Sequence, residues 1–294
     1  MQKNITNNPL YDHIWYNIFT HLSHSIKIPP ILAISLALLV LLSTGCSTIK
    51  TQGNWANNMT YIPSITKLKR ATIQAATDPQ TWIPTAAAAA LHASQLDKPL
   101  SHWASKNTPI FQSRKTASKA SNLLLKASRN SFIISALTTP SGNEINHIIG
   151  NKVQGLSMEV SALYSSIYLT NFLKDTTKRE RPSRNNFTSF PSGHSSSAFT
   201  FTTLAKRNIN VTPMQQQTQQ LLSVGLTAMA TGTAWARVEA NLHYTTDVLI
   251  GAALGNFVAN FFYNAFIHDD RLSDIRISID PINNGAELGI DIAF

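Results

Sequence analysis

At 294 residues, with 43% of them hydrophobic, the chain is long enough for one sizeable domain with appendages and apolar enough to build a core. Its 24 Lys and Arg against 15 Asp and Glu leave a net charge of +9, a balance that suits nucleic acid, a membrane surface or phosphorylated substrates. No long basic run and no interleaving of basic with aromatic residues occurs, so nucleic acid is set aside as a partner. The single cysteine, Cys46, excludes an intramolecular disulfide and a cysteine cage for a metal.

In chain order, the first feature is the apolar run ILAISLALLVLL over residues 31–42. It is the length of the apolar part of an export signal and falls short of the ~20 residues a spanning helix needs. The small residues Ser43, Thr44 and Gly45 before Cys46 resemble a bacterial lipobox, although the leucine stands four places before the cysteine and not three. The expectation is a lipoprotein signal over 1–45, acylation of Cys46, and a polar tether over 46–75. An uncleaved anchor over 28–44 is the alternative. Either would export the rest of the chain across the inner membrane.

A helical domain is expected over 76–268. TWIPTAAAAALHASQL (81–96) carries an alanine run of high helix propensity, with Trp82 and Leu91 suited to packing. KASNLLLKASRNSFIISAL (119–137) is a second helix. MEVSALYSSIYLTNFLK (158–174) is a third, with Val160, Leu163, Tyr164, Ile167 and Phe172 near helical spacing. SSSAFTFTTLAK (195–206) and QQLLSVGLTAMATGTAWAR (219–237) are the fourth and fifth. The last, TTDVLIGAALGNFVANFFYNAF (245–266), is long enough to raise the question of a membrane span. Asp247, Asn256, Asn260 and Asn264 favour a buried core helix instead, and Gly251 and Gly255 favour close packing against a neighbour. Over 269–294, Ile275, Ile277 and Ile279 alternate with polar residues. After the turn NNG, Leu288, Ile290, Ile292 and Phe294 alternate again, which predicts an appended β-hairpin.

Three clusters carry chemistry. Lys174 is followed by Arg181-Pro182, then comes Pro191-Ser192-Gly193-His194, then Arg237, His243 and Asp247. Each alone has a structural explanation: cations near a helix end complement its dipole, Ser-Gly starts a helix, and a lone histidine is more often structural. Together they supply what phosphoryl transfer needs. Cations neutralise the phosphate oxygens, backbone donors complete a cradle, one group attacks in line and another protonates the leaving oxygen.

The pattern Lys-x6-Arg-Pro, Pro-Ser-Gly-His and Arg-x5-His-x3-Asp resembles the type 2 phosphatidic acid phosphatase superfamily, which includes bacterial class A acid phosphatases and vanadium haloperoxidases. Ala236 stands where that pattern has a serine. The resemblance implies an all-α bundle of about six helices with the site at one end. It implies His243 as the nucleophile that forms a phosphohistidine, Asp247 holding its other ring nitrogen, and His194 as general acid. Lys174, Arg181, Ser192, Gly193 and Arg237 would bind phosphate. No metal or cofactor is called for. The chain is thus expected to be a phosphatase of the bacterial envelope, lipid-anchored at Cys46 and facing the periplasm, most simply at the outer membrane. Its substrates would be phosphate monoesters or pyrophosphates, soluble or lipid-linked. A vanadate-dependent haloperoxidase and a non-catalytic envelope tether are the rival readings.

Overall fold

The computed structural model describes residues 55–56, 59–142, 145–267, 275–282 and 285–292, and only the backbone of 145–147 and of the last two segments. The expected signal over 1–45 and Cys46 lie outside the described residues. Those described all belong to the unit Ile49–Phe294.

Eight helices make up the body among the described residues, so the expected all-α class is observed. They are α1 (Ile65–Thr77), α2 (Pro79–Ala93), α3 (Asp97–Asn107), α4 (Arg114–Thr138), α5 (Ile145–Thr177), α6 (Gly193–Asn210), α7 (Gln216–Glu239) and α8 (Thr245–Phe262). A π-helical turn, Tyr263–Ile267, continues α8. Several starts are fixed by local hydrogen bonds. Ser64 accepts from the Lys67 N–H, Asp78 from Gln80, and Ser113 from Thr116. Pro79 opens α2, a position where its missing N–H costs nothing. Two antiparallel strands follow, β1 (Ile275–Ile282) and β2 (Gly285–Ile292), in a register that pairs Ile275 with Ile292 and Ile282 with Gly285.

Two helices were not expected. α1 lies inside the stretch read as a tether, so the helical body begins before residue 76; it buries only Ala71 and Ala75. α3 buries Asp97, Ser101, Ala104 and Ser105. That buried face of α3 is not the large apolar stripe from which amphipathic helices are recognised. The same physics reverses the expectation for α5. Val160, Tyr164, Ile167 and Phe172 are exposed, Phe172 by 56%, while Glu159, Ala162, Ser166 and Thr170 face inward. Trp82 is likewise 51% exposed instead of packed.

Small and polar residues let the helix backbones approach. α8 packs on α6, α2, α5 and α1, and α4 lies across α6 and α7. A Cβ on Gly255 would sit 2.2 Å from the Ser196 carbonyl oxygen, and one on Gly251 2.6 Å from that of Ser192. Hydroxyls then satisfy one another across the contacts. Ser166 and Ser196 are 2.8 Å apart, and Thr170 donates to Ser196 at 2.9 Å, joining α5 to α6. Thr203 donates to Asn256 Oδ1 at 2.8 Å, and Asn256 Nδ2 donates to Asp78 and Thr81. Thr245–Ile267 is long and apolar enough to cross a membrane, yet 67% of its apolar window is buried inside the bundle. Glu159 is also fully buried, with neither carboxyl oxygen hydrogen-bonded. Burial pushes its pKa up to about 8 against the opposing pull of Asn208 and Lys152.

Candidate active site

Four helix ends converge on one place. Lys174 lies in the last turn of α5 and Arg237 in the last turn of α7. Ser192 caps α6, which begins at Gly193 with His194 second, and His243 immediately precedes Tyr244, the N-cap of α8, whose first turn carries Asp247. The α6 and α8 starts are tied together. The Ser192 N–H donates to the Asp247 carbonyl at 2.9 Å and Ser195 Oγ to the Val248 carbonyl at 2.6 Å. Gly251 keeps α8 close enough for both bonds. Ser192 itself is fully buried, its hydroxyl accepting from the Ser195 N–H at 3.4 Å. The Gly193 and His194 amides then stand at the open, positive end of α6, where an anion is favoured.

The loop between α5 and α6 folds back on this end. Lys174 Nζ donates to the carbonyls of Thr188 (2.7 Å) and Pro191 (2.6 Å), so it braces the loop instead of capping its own helix. Arg181 Nη2 donates to Thr188 Oγ1 at 3.2 Å. Arg237 is 6% exposed and donates through Nη1 to Ser121 Oγ at 3.3 Å. The Nε of both arginines is buried with no hydrogen-bond partner. Two buried guanidinium donors left open are costly unless an acceptor meets them.

Electrostatics shows how closely these groups are gathered. Burial pushes Lys174 down to about 8, with Arg181 and Arg237 adding repulsion and Asp247 opposing it. Burial, then Arg181, pushes Arg237 down to about 10. Burial also lowers Arg181, against the attraction of Asp247. His194 falls to about 3 through burial, then through Arg237, His243, Arg181 and Lys174. His243 falls to about 4 through burial, with Asp247 opposing and Arg237 and Lys174 adding to the drop. Both rings are therefore neutral near pH 7, in a site rich in positive charge.

The ring hydrogen bonds fix their tautomers. His194 Nε2 lies 2.7 Å from Asn122 Oδ1, an acceptor, so the proton sits on Nε2. His243 Nδ1 lies 2.7 Å from the Ser189 carbonyl, so Nδ1 carries the proton and Nε2 the lone pair. Asp247 is the residue expected to hold that ring nitrogen. Its Oδ2 is 3.7 Å from His243 Nδ1, beyond a hydrogen bond. That carboxylate is occupied elsewhere: Oδ1 accepts from Arg179 at 2.7 Å, and Oδ2 from Ser189 Oγ at 2.5 Å and the Tyr244 N–H at 2.8 Å. Burial works to raise the Asp247 pKa, but His243, Arg179 and Ser189 together hold it below the usual value.

Of the eight residues expected to form the site, seven thus lie at or beside these converging helix ends, and Arg181 lies on the loop between α5 and α6. Sequence reasoning missed Ser121 and Asn122 of α4, the Ser189 carbonyl, Arg179 and Asp97. Arg179 stands two places before Arg181, but nothing in one sequence shows that the two arginines point to different partners. Ala236, where the family pattern has serine, is fully buried. Among the described residues, no three His, Cys, Asp or Glu side chains cluster as metal ligands would.

Residues 158–269 match the model described as PAP2 superfamily, a span that contains Lys174 through Asp247. No curated protein matches the chain. Among solved structures, it is similar to the crystal structure of the first transmembrane PAP2 type phosphatidylglycerolphosphate phosphatase from Bacillus subtilis. The two share 21% identity over 61% of this chain and 90% of that one, with a TM-score of 0.46. The similarity to the PAP2 superfamily is thus confined to residues 158–269, the stretch that holds the three motifs.

Proposed function

We propose that the chain is a metal-independent phosphatase of phosphate monoesters or pyrophosphates, soluble or lipid-linked, working through a phosphohistidine on His243. The observation that carries this is the pair of buried, unpartnered guanidinium nitrogens, Arg181 Nε and Arg237 Nε, at the α6 N-terminus beside two neutral histidines. A phosphoryl group supplies the acceptor oxygens these donors lack, and Lys174 and the α6 amides complete the cradle.

With Nδ1–H held by the Ser189 carbonyl, His243 presents its Nε2 lone pair to phosphorus. The bond from Nε2 to phosphorus forms as the bond to the leaving oxygen breaks, and His194 protonates that oxygen. The bound phosphate's negative charge offsets Arg237, Arg181 and Lys174, three of the charges that keep His194 unprotonated. Substrate binding thereby loads the proton that its own cleavage needs. Water then attacks phosphorus, the Nε2–phosphorus bond breaks with its electron pair returning to His243, and His194 takes up the water's proton. Retention at the bacterial envelope by acylated Cys46 is part of the same proposal.

A phosphate-release screen over lipid phosphates, isoprenoid pyrophosphates and nucleotides tests the reading. Release should persist in EDTA and be blocked by vanadate, which mimics the phosphoryl transition state. Loss of release in EDTA, restored by a divalent ion, would contradict it.

A further inference from the structure

The proposed chemistry gives no task to Arg179 or Asp97, yet they make the densest set of charged contacts at the site. Arg179 Nη1 donates to Asp247 Oδ1 at 2.7 Å and to Thr246 Oγ1 at 2.8 Å. Its Nη2 donates to Asp97 Oδ2 at 2.6 Å, and its guanidinium lies 4.2 Å from the centre of the Tyr244 ring. Asp97, the first residue of α3, also accepts from the Thr246 N–H and Oγ1, each at 2.8 Å. One turn on, Ser101 accepts from the Thr245 N–H at 2.9 Å. α3 lies outside the PAP2 match, and it is bolted to the turn of α8 that carries Asp247.

These contacts account for the unusual placement of Asp247. With Arg179 on Oδ1 and with Ser189 Oγ and Tyr244 N–H on Oδ2, the carboxylate has donors on both oxygens without His243. We propose that Arg179 and Asp97 form a positioning pair that acts on His243 through Asp247, Arg179 holding the carboxylate back from the ring and Asp97 anchoring Arg179 to α3. The inference rests on the phosphatase reading for its importance to the reaction, though not for its test.

The charges around His243 set the direction in which each substitution moves its titration. The ring is faced by Asp247 from α8, Arg237 from α7, Lys174 from α5 and His194 from α6. Arg179 in turn faces Asp97, Asp247 and Tyr244, with Glu180 beside it acting on Tyr244. Removing the Arg179 charge leaves Asp247 Oδ1 without that donor and the carboxylate's negative charge less compensated, which favours imidazolium. Removing the Asp97 charge leaves Arg179 less compensated, which disfavours it. A purely structural brace would not give opposite signs.

The test is a ring-proton NMR titration of His243 in the full-length chain, with its resonance identified by its loss in His243→Asn. Arg179→Gln should raise the His243 pKa by about one unit. Arg179→Lys, which keeps the charge, should raise it less, and Asp97→Asn should lower it. No rise in Arg179→Gln, or shifts of the same sign in Arg179→Gln and Asp97→Asn, would overturn the proposal. If Arg179→Gln does not fold, Asp97→Asn decides alone: a fall supports the pair, and any other result overturns it. Because the titration needs no turnover, opposite shifts without phosphate release from the wild type would sink the phosphatase reading and leave this one standing.

Discussion

His194 and His243 are both neutral in the free protein, but they are asked for opposite things. In the proposed mechanism His243 stays unprotonated at Nε2, whereas His194 gains a proton once phosphate is bound. Substitution separates them. His243→Ala removes the nucleophile, so no leaving group should rescue it. His194→Ala removes a proton donor, a contribution of typically ~10²–10⁴-fold that matters least for a leaving group of low pKa. Comparing p-nitrophenyl phosphate with an alkyl phosphate should therefore show partial recovery of His194→Ala alone; recovery of His243→Ala would reverse the roles. Glu159 offers a separate pH test. It stands fifteen residues before Lys174 on α5, about 22 Å along the axis, so it probes stability away from the chemistry. Its folded pKa of about 8 lies above its ordinary value, so the folded state binds more protons between them. Its contribution to stability is therefore full at pH 4 and is lost as pH rises through 8. Glu159→Gln should match the wild type in melting temperature near pH 4 and exceed it increasingly towards pH 8. A gap that stays constant with pH would contradict a buried, protonated Glu159.

At the scale of elements, the α6–α8 contact decides where His194 stands relative to His243. Gly255→Ala would drive a methyl to 2.2 Å from the Ser196 carbonyl, a backbone atom that cannot move without moving α6. A loss of about 1–3 kcal/mol in denaturant unfolding is expected, together with reduced activity. Gly225→Ala is the control, since a Cβ there meets nothing within 4 Å; helix propensity should make it stabilising by about 0.5–1 kcal/mol. Equal effects of the two substitutions would refute the close contact. Both α8 glycines, its Asn256 and Asn260, and Asn264 in the turn that follows were legible in the sequence as marks of a packed core helix. The inward face of α5 was not. Periodicity reads large apolar residues as buried, and here Ser166 and Thr170 are inside because they bond to Ser196 on α6. α3 escaped for the same reason, its buried face being an aspartate and two serines. The residues proposed to bind phosphate were legible because short motifs hold them. Asn122 and Asp97 were not, since their contacts span 72 and 82 residues of sequence.

At the scale of the whole molecule, the PAP2 match over 158–269 leaves α1 to α4 outside it, yet Asp97, Ser121 and Asn122 come from those helices. The upstream helices are thus part of the site. Further upstream, the apolar run and Cys46 lie outside the described residues, and their role is a matter for labelling. Metabolic labelling with palmitate should mark the wild type and not Cys46→Ser. Equal labelling of both, or a mature protein that keeps its original N-terminus, would remove the lipid anchor from the account. What unites the scales is the phosphoryl group proposed to form on His243, and trapping it is the most direct test. Wild-type protein quenched in base during turnover of a ³²P-labelled substrate, in EDTA, should carry label that is stable to alkali and lost in acid, mapping to His243. The account predicts that label on the wild type and none on His243→Ala. Turnover without acid-labile label on the wild type, or the same label on His243→Ala, would contradict it.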